Sequence, residues 1–198
     1  MPATLLLLRH ADTGPELRGR FIGSTDVPAS ETGILQLKRL QPLLQRYVPT
    51  SWYCSPSTRA RQTEKALQEM SLVTCTTRID EGLREIDFGA WERRTFEDIA
   101  DEYPDSVEVW NAQPAEFQFP QGEGFADFVL RVKQCLERIT ADSADQVLVI
   151  SHGGVIRIMI CLLLGLDPTH YLLFQVQPGR IATLDLFGRR GVLSGLNL

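Results

Sequence analysis

Two of the three histidines in this chain stand directly after short apolar runs. LLLLRH sets Arg9 and His10 behind four leucines, and VLVISH sets His152 behind a second oily stretch. An imidazole can act as a nucleophile when a backbone carbonyl holds one ring nitrogen protonated and leaves the other neutral and aimed at an electrophile. Phosphorus is a suitable electrophile, and the neighbouring residues suit its oxygens. Arg9 adjoins His10, and Arg59, in SPSTRARQ, falls where an apolar run gives way to a helical pattern. Guanidinium forks match phosphate oxygens in a bidentate way that lysine cannot. Gly153 and Gly154 follow His152 and would offer backbone N–H groups at a helix start, which favours the same anion.

Each feature alone has an ordinary explanation. An Arg-His pair at a strand end is more often a solvated edge, SHGG can be a plain turn around a core histidine, and Arg59 and Arg61 can form a solvated helix face. Their joint placement changes the balance, because in an open α/β sheet both histidines would arrive at the carboxyl edge, where ligands bind. His170, in DPTH, has no such context and reads as a surface residue.

The elements that must position these groups follow from periodicity. Residues 4–8 form a continuous apolar run, which predicts a central strand covered on both faces. Ser30 reads as the N-cap of a helix with Ile34, Leu37, Leu40, Leu44 and Tyr47 on one face and a kink at Pro42. Residues 52–54 predict a second strand, followed by a helix over SPSTRARQTEKALQEM capped by Ser55 or Ser57. A third strand is expected at residues 73–77. Residues 125–139 predict an amphipathic helix with Phe128, Val132, Leu136 and Ile139 aligned, and QVLVI predicts a buried strand that feeds a helix beginning at Gly153. Strands near 172–176 and 181–186 would complete a mixed sheet covered by helices. Between about 85 and 122 the pattern loosens into short pieces rich in aromatic residues, which read as a lid.

Composition bounds the partners. A length of 198 residues suits one domain, and 43% hydrophobic with 23% charged residues is globular composition. A net charge of −5 argues against a nucleic acid or an anionic membrane surface as the main partner. The cysteines Cys54, Cys75, Cys135 and Cys161 are far apart in the chain, with no CxxC or Cys/His metal spacing, which suits free thiols in a reducing compartment. No export signal is legible at the start, and the apolar stretch at 155–166 is interrupted by Arg157 and too short for a bilayer, so a cytoplasmic location is expected. No GxGxxG or GxxxxGK[ST] follows the first strand, which disfavours a nucleotide-binding α/β protein.

Taken in order, LLLLRHADTG, RFIGSTDVPASETG, YCSPSTRARQT, LREIDFGAWE, QGEGFADFVLRV and VLVISHGGVIR resemble the signature of the histidine phosphatase superfamily, to which cofactor-dependent phosphoglycerate mutase also belongs. The resemblance implies an α/β protein, a three-layer α/β/α fold with a mixed, mostly parallel six-stranded sheet of the phosphoglycerate mutase type. It would form a single domain over 1–198 with a lid-like insertion at about 85–122. It implies roles as well. His10 would be the nucleophile that becomes phosphohistidine; Arg9, Arg59 and His152 would hold the phosphoryl oxygens, aided by the backbone N–H of Gly153. Glu85 would protonate the leaving alkoxide and then activate water, a service worth roughly 10²- to 10⁴-fold in rate. Ile22 and Gly23 would line the substrate entrance. No cofactor and no metal are implied; the expected partner is a small phosphate ester, with no nucleic acid and no membrane, and a homodimer is left open.

Within the superfamily, the modest length and the W…P-x-GEGF-x-x-F-x-x-RV stretch are similar to the α-ribazole-5′-phosphate phosphatases of the cobalamin pathway. Trp91, Trp110, Phe117 and Phe119 could stack on a flat base, or simply pack the lid. Departures from the family pattern matter too: Ala11 and Asp12 replace a usual glycine and glutamate, and Glu16 stands where the mutases carry a phosphate-touching asparagine. That last change weakens a mutase reading. Asp87 rivals Glu85 as the acid, and Glu123 matches a family position without a derivable role. The alternatives are a sugar-phosphate or phosphoglycerate phosphatase or mutase, a fructose-2,6-bisphosphatase-like enzyme, and a binding module that holds a phosphorylated ligand without cleaving it.

Overall fold

The computed structural model describes residues 2–70, 75–188 and 190–198. Its frame is a six-stranded sheet in the order β3-β2-β4-β1-β5-β6. The strands are β1 (Thr4–Arg9), β2 (Ser51–Cys54), β3 (Thr77–Ile79), β4 (Gln146–Ser151), β5 (Ile181–Phe187) and β6 (Arg190–Gly195). β4 pairs in parallel with β1 and β2, and β2 with β3; β5 runs antiparallel to both β1 and β6. The sheet is therefore mixed.

Because successive side chains on a strand point to opposite faces, the oily runs of β1 and β4 feed two cores at once. Leu5, Leu7, Val147 and Val149 pack against α6 (Phe125–Thr140) and α7 (Gly153–Leu164). Leu6, Leu8, Leu148 and Ile150 pack on the other face with Leu37, Leu40, Ala60 and Leu67 from the helices between β1 and β3. All four leucines of β1 are fully buried. The three-layer arrangement predicted from the sequence is the one observed.

The helical segments follow their capping chemistry. Ser30 accepts the Gly33 N–H at 3.0 Å and starts α1 (Glu31–Gln36). Where one kinked helix was expected, a 3-10 turn over Leu37–Leu40 separates α1 from α2 (Gln41–Tyr47). Pro42 lies in the first turn of α2, where its missing N–H costs nothing, so it begins a helix rather than bending one. In α3 (Thr58–Met70), the Ser57 carbonyl accepts the Arg61 N–H at 3.0 Å and the Asp26 carboxylate accepts the Thr58 N–H at 2.9 Å. Ser57, not Ser55, occupies the cap position.

Two strand expectations need correction. β3 starts at Thr77; of the stretch expected there, residues 73 and 74 lie outside the described residues. The strand expected at 172–176 is absent, because Asp167 caps and Pro168 initiates a 3-10 helix over Pro168–Leu173 that leaves Leu172 and Leu173 exposed. The sixth strand is instead β6, an edge strand that alternates exposed and half-buried residues and includes two glycines, so it gives no apolar run to read.

Residues 85–122 contain α4 (Phe96–Glu102), entered through a capping box of Thr95 and Asp98, and α5 (Pro104–Ala112), with Tyr103 alone between them and 3-10 turns at Gly89–Trp91 and Pro114–Glu116 on either side. Among the described residues no helix is long and apolar enough to cross a membrane.

Candidate active site

The register of β1 on β4 builds the site. Arg9 lies opposite Ser151, so the next residue of each chain segment, His10 and His152, leaves the sheet side by side. The His10 N–H donates to the Ser151 carbonyl at 2.9 Å, and the two imidazole centroids are 5.1 Å apart with planes tilted by 59°. Both rings are buried.

Each ring is held by a neighbour. His10 Nδ1 lies 2.8 Å from the Ala11 carbonyl oxygen, which can only accept, so Nδ1 carries the hydrogen and Nε2 keeps its lone pair. Thr63 of α3 accepts the Ala11 N–H at 2.9 Å and fixes that turn. His152 Nε2 lies 2.8 Å from Ser55 Oγ, which already accepts the Ser57 N–H at 3.4 Å. Ser55 Oγ also lies 3.4 Å from Ser57 Oγ, itself 3.3 Å from Nε2, so the two serines hold the His152 ring through Nε2 and leave Nδ1 on its other side.

That Nδ1 is buried and has no hydrogen-bond partner among the described residues, and the same holds for Nε of Arg9 and Nε of Arg59. Three of the remaining guanidinium nitrogens are engaged in building the walls. Arg9 Nη1 donates to the Val176 carbonyl at 2.7 Å; Arg59 donates through Nη1 to Thr25 at 3.1 Å and through Nη2 to Gly23 at 2.9 Å. An unpaired buried donor costs about 1–3 kcal/mol, so these groups call for an acceptor, and one tetrahedral oxyanion supplies several.

The electrostatics agree with that use. Burial pushes the Arg9 guanidinium down to about 10, with Glu85 opposing the shift, so it remains charged at neutral pH. Burial, then the charges of Arg9 and Arg59, push His10 well below its usual 6.5. Burial, then Arg59, His10 and Arg9, do the same to His152. Two neutral imidazoles between two cations suit a nucleophile and a hydrogen-bond donor facing an anion.

Glu85 stands across from them. Its Oε2 accepts the Gly154 N–H at 3.0 Å and its Oε1 the Ile86 N–H at 3.2 Å, so the start of α7 holds the carboxyl directly. A cavity of about 600 Å³ is lined by Arg9, His10, Arg59, Glu85, Gly153 and Ile22, and by the aromatic rings of Phe21, Phe88 and Trp110. A second, polar cavity of about 420 Å³ is lined by His152, Ser57, Gly23 and Arg131, and again by Glu85. Glu85 thus borders both cavities.

The loop carrying Ile22 and Gly23 is clamped from both sides. Arg59 takes its carbonyls, while the Glu92 carboxylate collects the N–H groups of Gly23, Ser24 and Thr25 at 3.0, 2.9 and 3.2 Å. An ideal Cβ on Gly23 would lie 1.9 Å from the Ile86 carbonyl oxygen, so only glycine lets this loop sit on the Glu85 segment. Gly153 lies against the Arg9 guanidinium.

Other expectations fare differently. Asp87 accepts from Ser24 Oγ at 2.8 Å and the Gly89 N–H at 2.9 Å, a loop-building role. Glu16 is exposed and does not border the larger cavity. Trp91, Phe117 and Phe119 are buried and pack on one another, with Trp91 5.3 Å from Phe119 edge-on; among the four lid aromatics suggested for stacking, Trp110 and Phe119 border the cavity. His170 is exposed. Sequence reasoning missed the roles of Ser55, Glu92 and Arg131. All three stand inside the quoted motifs, yet their contacts are made across long sequence separations.

Paired imidazoles at the carboxyl edge of a sheet in this order define a class of phosphoryl-transfer protein. Residues 5–198 match the family model of the histidine phosphatase superfamily (branch 1), and the chain belongs to that superfamily. It is a phosphoric monoester hydrolase. The chain is 33% identical over 199 residues to adenosylcobalamin/alpha-ribazole phosphatase of Salmonella typhimurium, covering 98% of this chain and 95% of that one. It is 31% identical over 195 residues to phosphoserine phosphatase 1 of Hydrogenobacter thermophilus, with 98% and 92% covered. Among solved structures it is similar to the alpha-ribazole phosphatase from Shigella flexneri, with a TM-score of 0.86 and 28% identity over 98% of this chain and 96% of that one.

Proposed function

We propose that this enzyme cleaves a small phosphate monoester in two in-line displacements through a phosphohistidine on His10, and that its substrate is α-ribazole 5′-phosphate. The observation that carries the mechanism is the set of buried, unpartnered donors on Arg9, Arg59 and His152 beside a neutral His10 Nε2. In the first step the Nε2 lone pair bonds to phosphorus, the ester P–O bond breaks, and Glu85 gives its proton to the departing oxygen. In the second, water bonds to phosphorus, Glu85 takes the water proton, and the N–P bond breaks to release phosphate. Arg9, Arg59, His152 and the Gly153 N–H balance charge on the equatorial oxygens throughout. The protein groups supply the charge compensation themselves, and activity is expected to survive chelators.

The substrate assignment rests on the similarity to the Salmonella enzyme and on the Phe21, Phe88 and Trp110 edge of the cavity, which suits a flat aromatic base. Residues 85–122 would cover that base, and free, largely buried cysteines suit work in the cytoplasm. A second reading, a phosphorylated amino or hydroxy acid, is favoured by Arg157, which borders the same cavity and could meet a carboxylate, and by the similarity to the Hydrogenobacter enzyme.

Rapid quench with ³²P-labelled substrate tests the mechanism. Acid-labile label on the protein is expected in the wild type and none in His10→Ala, with turnover abolished; acid-stable label or full activity in His10→Ala refutes it. A panel of α-ribazole 5′-phosphate, phosphoserine, 3-phosphoglycerate and fructose bisphosphates should give the highest kcat/KM with the first. A preference for phosphoserine selects the second reading.

A further inference from the structure

We infer that Arg131 and Glu123 are positioning residues for Glu85, forming a brace that holds the acid–base carboxyl in place without touching the phosphoryl group. The inference rests on the reading of Glu85 given above. Glu85 belongs to a stretch with no helix or strand of its own, between a 3-10 turn ending at Leu83 and another starting at Gly89. No ladder or helix fixes its backbone. Arg131, projecting from α6, does so instead: it donates to the carbonyls of Gly82 at 3.1 Å, Arg84 at 2.7 Å and Glu85 at 3.0 Å.

The same guanidinium is gripped on its other edge by Glu123, through Nε to Oε1 at 2.6 Å and Nη2 to Oε2 at 2.8 Å, and its carbon lies 4.8 Å from the Phe128 ring centroid. Glu123 also ties into the far end of the segment. Its Oε2 accepts the Asp87 N–H at 3.3 Å and its own N–H donates to the Asp87 carbonyl at 2.9 Å. Both side chains are largely buried, with Arg131 25% and Glu123 19% exposed, so solvent screening is limited. Only a planar fork can reach so many acceptors at once, which is why lysine would not substitute here. A brace at both ends of the 85–87 segment matters because misplacing a catalytic group by about 1 Å can cost on the order of 10²-fold.

A purely structural ion pair would predict something else: fewer active molecules, and equal losses on every substrate. The test is therefore the ratio of kcat/KM on phenyl phosphate to kcat/KM on p-nitrophenyl phosphate: kcat/KM reads only the steps through departure of the leaving group, the second leaving group needs little protonation, and the ratio cancels the active fraction. Glu85→Gln, Arg131→Met and Glu123→Gln are compared with wild type, Glu123→Gln being the near-isosteric variant to use if Arg131→Met does not fold. Glu85→Gln should lower the ratio most. Arg131→Met and Glu123→Gln should lower it roughly 10-fold or more. An unchanged ratio in both brace variants, with a lowered ratio in Glu85→Gln, overturns the brace and leaves the acid–base reading intact. An unchanged ratio in Glu85→Gln overturns that reading and the brace with it.

Discussion

The hydroxyl of Ser55 holds His152 through one ring nitrogen. Its 2.8 Å contact with Nε2 leaves Nδ1 buried and unpartnered. Ser55→Ala removes that contact and frees the ring to change tautomer, and kcat/KM is expected to fall about 5- to 150-fold, the equivalent of a buried hydrogen bond of about 1–3 kcal/mol. Unchanged kinetics, with an unchanged ¹⁵N tautomer signature for His152, would remove Ser55 from the mechanism. The histidines themselves were legible only as a pair, because two imidazoles behind two oily runs would arrive at one sheet edge, and so was the need for a carbonyl on His10. Ser55 was not legible as a partner. A serine between a strand and a helix carries the same signature whether it caps the helix or orients a ring 97 residues away.

At the scale of elements, the site depends on where α7 begins. Gly154 donates to Glu85, and an ideal Cβ there would lie 2.4 Å from Glu85 Oε1, so Gly154→Ala forces the carboxyl aside. The expected result is a kcat/KM loss greater on phenyl phosphate than on p-nitrophenyl phosphate, with a melting temperature that moves little because alanine favours the helix. Equal losses on both would say that the carboxyl had not moved relative to the leaving group. The elements that place the histidines were readable from periodicity because β1, β4 and α7 are buried nearly all round. The edge strand β6 and the 3-10 helix over Pro168–Leu173 were not. Edge strands need no apolar run, and LLFQV has the residue types of a strand while an Asp-Pro start turns the chain the other way.

For the whole molecule, the two buried imidazoles link stability to pH. Their protonation is depressed in the folded state, so the unfolded chain binds more protons once pH drops below about 6.5. Stability from this source is complete above that value and declines as the solution is acidified toward the lower folded-state values. Between pH 7.5 and 5, above the unfolded carboxylate range near about 4, melting temperature should fall with pH, and less steeply in His10→Gln and His152→Gln. Parallel slopes in wild type and both variants would show that these rings do not govern it. Inorganic phosphate or vanadate should raise the melting temperature by binding only the folded state.

The pairing of Arg9 with Ser151 has one more effect. A one-residue slip of β1 along its neighbour would move His10 about 3.3 Å and turn its ring to the opposite face of the sheet. No partial rate survives such a shift. Turnover therefore works as an all-or-none gauge of strand alignment: a preparation at half its specific activity for this reason contains working molecules and silent ones, not a uniform population of slower enzymes.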